Sequence, residues 1–157
     1  MNAALQRLRA ELRFDRDAFE ARLHELERVD PASSDASAAQ TAVALHHAYC
    51  AIESILMRVA RQIEGSLPEE PDWHQALLHA AGLDLPGVRP AIFSRPTVNA
   101  LRHLLGFRHF FRHGYAVPLD SAQLAALSRE VRDIAPHLLA ELDRLDAFLE
   151  QVASEPD

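Results

Sequence analysis

Residues 120–152 read DSAQLAALSREVRDIAPHLLAELDRLDAFLEQV, and this run decides the fold class. Leu124, Leu127, Val131, Ile134, Leu138, Leu142, Leu145, Leu149 and Val152 follow one another in steps of three and four. Such steps return to one face of an α-helix, whose period is about 3.6 residues. Asp120 with Gln123 has the spacing of a capping box, so the helix is expected to start there. Pro136 has no N–H to give and crowds the preceding turn, so a kink or break is expected near Ala135. The last residues, from Ser154, are expected to fray.

The same period recurs upstream. Val98, Leu101, Leu104, Leu105 and Phe107 mark a helix capped by Ser94, with Pro96 in its first turn, ending at Gly114 and Pro118. Before it, Pro86, Gly87 and Pro90 make Leu83 to Arg95 a loop. A short helix is expected from an N-cap at Asp72 to Ala81, closed by Gly82, with Trp73 packed in the core. Leu45, Tyr49, Ile52, Leu56, Val59 and Ile63 form a longer stripe between a cap at Ser37 and a stop near Gly65. Glu53 sits one residue off that stripe and reads as an edge carboxylate, with service to an arginine as the alternative. Leu5, Leu8, Leu12, Phe19, Leu23 and Leu26 place a first helix between Asn2 and Arg28, stopped by Asp30-Pro31. Pro31 to Ser37 is a small, polar connection. No strand-like alternation and no internal repeat is present. The expectation is an all-α, up-and-down bundle of four to five helices, one domain over residues 1–157.

Bulk properties narrow the function. A chain of 157 residues can bury a core without staples. Its single cysteine, Cys50, excludes an intrachain disulfide and reads as a small apolar residue. No apolar run is long enough to span a bilayer, and the first residues lack a signal core, so a cytoplasmic protein without a membrane partner is expected. A net charge of −7 argues against a broad nucleic-acid coat but permits a small basic site on an acidic body. Every positive side chain is arginine, because lysine is absent, which excludes a lysine Schiff base.

The basic site has an obvious location. Leu85 to Leu119 contains no Asp or Glu but holds Arg89, Arg95, Arg102, Arg108 and Arg112. Within it, Arg108-His109-Phe110-Phe111-Arg112-His113-Gly114-Tyr115 gathers two arginines, two histidines and a tyrosine. Arginine presents a planar fork to phosphate oxygens, and histidine exchanges protons near neutral pH. A ribonuclease that uses no metal needs such parts: a base for the 2′-hydroxyl, a cation at the phosphorane oxygens and an acid for the leaving 5′-oxygen. Arg108 and His113 are the candidate catalytic pair, with Arg112, His109 and Arg102 as candidate RNA-binding residues. The ordinary alternative is a solvated, cationic helix end that favours the negative pole of the macrodipole. His109 and His113 have the i, i+4 spacing of a zinc pair, yet no third ligand is evident nearby, so neither metal nor cofactor is expected.

Arg108, His113 and Tyr115 read R-x4-H-x-Y, which resembles the signature of the HEPN superfamily, in particular the HepT-like ribonuclease toxins. The stretches Ala48 to Ala60, Glu64 to Pro68, Trp73-His74 and Val88 to Ile92 resemble the same family, so the likeness covers roughly residues 40–150. It implies a metal-independent endoribonuclease whose motif residues are Arg108 and His113. It also implies a homodimer whose two motifs line one cleft. Tyr115 matches the tyrosine that a partner nucleotidyltransferase antitoxin of the MNT type modifies with AMP. His109 departs from the asparagine that most often follows the motif arginine. One geometric problem accompanies the pair. Residues five apart lie about 140° apart around a regular helix. The helix must therefore distort near Gly114, or Arg108 reach round, or a second subunit complete the site. The rival reading is a helical module that binds a nucleotide or partner without cleaving it.

Overall fold

A computed structural model describes residues 2–114 and 118–155. Five α-helices follow one another: α1 (Ala3–Arg28), α2 (Asp35–Val59), α3 (Trp73–Ala81), α4 (Arg95–His113) and α5 (Ser121–Ser154). Among the described residues there is no strand, only an isolated bridge between Leu85 and Arg89 in the loop before α4. The all-α expectation holds.

The long helices run antiparallel, and side-chain pairs give the register. Arg9 meets Asp146 and Arg16 meets Asp143 between α1 and α5. Arg58 bonds Glu11 and Asp15 between α2 and α1. Thr97 meets Glu141 and His103 meets Glu130 between α4 and α5. The α2 helix packs against the other four and carries the innermost residues, among them Leu45, Tyr49 and Ile52. Each such apolar side chain contributes about 1.5–3 kcal/mol on burial.

One expectation about a helix end shifts, while the expected stop near Gly65 holds. Ser34, not Ser37, caps α2, because its hydroxyl accepts from the Ser37 N–H. Sequence spacing alone does not separate two serines three apart. At the other end α2 widens into a π-helical turn, Ala60–Glu64, before Gly65 turns it off at φ 85°. That left-handed conformation is open to glycine at little cost. Pro136 does not break α5, which runs continuously through it. Val131, Ala135, Leu138 and Leu142 are buried on both sides of the proline. Packing thus outweighs the one backbone bond that proline forfeits. Cys50 is half-buried rather than buried, with its sulfur 3.7 Å from His46 Nε2.

The start of α4 is held from outside. Glu141 of α5 is 1% exposed. Its carboxylate accepts the Ser94 N–H and the Thr97 hydroxyl, each at 2.6 Å. It thus stands in for the local cap, since the Ser94 side chain makes no capping bond of its own. At the far end Gly114 donates its N–H to the Phe110 carbonyl at 2.7 Å. A Cβ at Gly114 would sit 2.8 Å from that carbonyl oxygen, so the close turn after His113 requires glycine.

Candidate functional site

Positions 46, 49, 50 and 53 step by three and four, so α2 aligns His46, Tyr49, Cys50 and Glu53 along one face. Arg108 and Phe111 of α4 lie across from it, and His74 of α3 closes one end. Glu53 joins the three helices. It is 6% exposed, which overturns its reading as an edge carboxylate and favours the alternative. Its Oε2 lies 2.7 Å from His74 Nδ1 and its Oε1 lies 3.4 Å from Arg108 Nη2. Trp73 packs against the core and stacks on the His74 ring at 3.6 Å, which holds the imidazole flat beside Glu53.

Arg108 is buried, which goes against the ordinary alternative of a solvated helix end. Its guanidinium carbon lies 6.0 Å from the centre of the Tyr49 ring. Removing an ion from water costs several kcal/mol even after relaxation, and one contact at 3.4 Å does not repay it. Among the described residues, Arg108 Nε, the Tyr49 hydroxyl and His46 Nδ1 are all buried with no hydrogen-bond partner. Arg89, the other buried arginine of the basic segment, is different. It bonds Glu64 and the carbonyls of Leu83, Pro90 and Ala80, so its donors are engaged in fixing the loop before α4. The segment's two buried arginines therefore differ: Arg89 is fully bonded, whereas Arg108 has one long contact with Glu53.

Two proton affinities are shifted in this cluster. Burial pushes the Tyr49 hydroxyl well above its ordinary range, with Glu53 adding to the effect, so it stays protonated. Burial, then the fields of His47, Arg108 and Arg112, lower the His46 pKa against the opposing pull of Glu53. His46 thus takes up a proton less readily than a free imidazole, and its ring lies 5.2 Å from that of Phe111.

The outer side of the same helix is solvent-exposed. Arg102, His109, Arg112 and His113 are exposed, and the His109 and His113 rings stand 4.7 Å apart. Among the described residues, Arg102 bonds Asn99, at 3.5 Å. The helix stays regular through His113, so distortion does not resolve the angular problem. Arg108 faces inward to Glu53 while His113 faces water, and one chain does not join them. Among the described residues no cluster of three or more His, Cys, Asp or Glu side chains is placed to hold a metal. Tyr115 lies outside the described residues.

Glu53 is legible in the sequence as a possible arginine partner, but His74, His46 and Tyr49 escape the sequence reading for separate reasons. Tyr49 counts as apolar in a periodic stripe, and His46 is masked by its neighbour His47. His74 lies on another helix, 21 residues from its partner, with no spacing rule to connect them. The 46-49-53 step was the available signal. A family model described as HepT-like protein matches residues 40–150, which hold the whole cluster. No curated protein and no solved structure matches the chain.

Proposed function

The chain belongs to the HepT-like family, within the HEPN superfamily, and on that premise we propose that it is a metal-independent endoribonuclease toxin. The observation that carries the reading is the buried Arg108 guanidinium, whose Nε has no partner and whose one charge contact is long. A buried planar cation with one long contact retains donors for phosphate oxygens. In this reading Arg108 stabilises the charge that grows on the non-bridging oxygens. His113 transfers a proton, either from the ribose 2′-hydroxyl or to the leaving 5′-oxygen. The 2′-oxygen bonds to phosphorus and the phosphorus–5′-oxygen bond breaks. The products are a 2′,3′-cyclic phosphate and a 5′-hydroxyl. Arg112, His109 and Arg102 line the approach and bind the RNA backbone.

The active form is a homodimer that acts in the cytoplasm. Two chains supply what one does not, since Arg108 and His113 occupy different sides of α4. Tyr115 is the target of a nucleotidyltransferase antitoxin of the MNT type. An added AMP two residues after His113 would bring a phosphate to the anion site and repel RNA.

The test is cleavage of an RNA oligonucleotide in EDTA by the parent, Arg108→Ala and His113→Ala. The expected result is cleavage by the parent to cyclic-phosphate ends, reduced at least about 100-fold in each variant. RNA binding without cleavage would replace this reading with the non-catalytic module. Equal cleavage by all three proteins would remove Arg108 and His113 from the site.

A further inference from the structure

We propose that Glu53 and His74 are positioning residues that set the orientation of the Arg108 guanidinium. The proposal deepens the nuclease reading and rests on it for its catalytic consequence. Glu53 has two oxygens and two partners on different helices, His74 Nδ1 at 2.7 Å and Arg108 Nη2 at 3.4 Å. The shorter bond fixes the carboxylate, and the carboxylate then fixes the arginine. His74 is in turn held by the stacked Trp73 indole. The order of support therefore runs from α3 through α2 to α4.

The chemistry of the arrangement explains the residue types. A carboxylate that touches the guanidinium only at Nη2 leaves Nη1 for a phosphate, while Nε stays buried beneath them. A carboxylate bidentate on Arg108 would occupy the fork that RNA must use. Sharing Glu53 with His74 prevents that, because the second oxygen is already bound to the imidazole. Neither residue meets the reacting atoms. Their effect is on the angle of a long, flexible side chain, where small misplacements cost up to about 100-fold in rate.

The experiment compares Glu53→Gln, His74→Ala and His74→Asn in the full chain. The asparagine amide N–H can occupy the place of Nδ1–H, whereas alanine leaves Glu53 unanchored. The first readout is the Nε–H resonance of Arg108 in a nitrogen-15 spectrum, assigned by its loss in Arg108→Lys. It is expected to shift or broaden in Glu53→Gln and His74→Ala and to stay in place in His74→Asn. The second readout is RNA cleavage, where kcat should fall about 10- to 100-fold with KM within about twofold in the first two variants and recover in His74→Asn. His74 is partly exposed, so its variants report even where Glu53→Gln does not fold. An Nε–H resonance unmoved in His74→Ala overturns the proposal whether or not the protein cuts RNA. A moved resonance with unchanged kcat overturns it as well. If the parent cuts no RNA, the nuclease reading falls, and the resonance alone decides whether this pair orients the arginine.

Discussion

Three buried arginines show how differently one residue type is used. Arg9 is wrapped by Asp146, Gln6 and Glu150, and Arg89 by a carboxylate and three carbonyls. Arg108 has one long carboxylate contact and a bare Nε. The motif made Arg108 visible in the sequence, but its burial was not, because helical periodicity reports a face and not the carboxylate that waits opposite. His46 offers a direct test of the same environment. Burial first, then His47, Arg108 and Arg112, lower its pKa, while Glu53 works the other way. The unfolded chain holds the ordinary histidine value, so below that value it takes up a proton that the native state refuses. His46 therefore costs stability as pH falls from about 7 through the ordinary histidine range near 6.5, and costs nothing above it. Urea unfolding of the parent should weaken more steeply between pH 7.5 and pH 5.5, both on the order of neutrality, than that of His46→Gln. Parallel profiles for the two proteins would mean that the cluster places no such pressure on the imidazole.

At the scale of elements, the helices and most of their boundaries follow from periodicity and caps. Asn2, Asp120 and Gly82 stand at the ends assigned to them, and the apolar faces read from 124–149 point into the core. Local rules favour a break at Pro136, but tertiary packing on both sides keeps α5 whole. Pro136 itself is exposed, so its ring contributes little to the core. Proline is about 3 kcal/mol worse than alanine inside a helix, offset by about 1 kcal/mol from its stiffening of the unfolded chain. Pro136→Ala should therefore raise the unfolding free energy by about 1–2 kcal/mol, seen as a higher urea midpoint at an unchanged m-value. A lowered midpoint would show that the ring supports the packing of α5. The three-helix polar cluster was illegible at this scale, because α3 joins it only through tertiary contact.

For the molecule as a whole, the proposed pairing of Arg108 with His113 has to bridge different sides of one helix. The family expectation of a shared cleft supplies an answer that mixing can test. Neither Arg108→Ala nor His113→Ala should cleave RNA alone. When the two are unfolded and refolded together, mixed dimers contain one complete site, with Arg108 from one chain and His113 from the other. Random pairing makes about half the dimers mixed, each with one of two sites, so recovery of roughly a quarter of parental activity is expected. No recovery, with dimers confirmed by sedimentation, would place both residues of each site on a single chain. A monomeric parent that still cuts RNA would remove the second subunit from the mechanism.

The grip of Glu141 on the first turn of α4 has a bearing on biosynthesis. Translation proceeds from the amino end, so the helix bearing Arg108 leaves the ribosome before the carboxylate that fastens its start. A nascent chain can thus lay α4 against α2 and α3, but the first turn of α4 stays unfastened until α5 folds back along it.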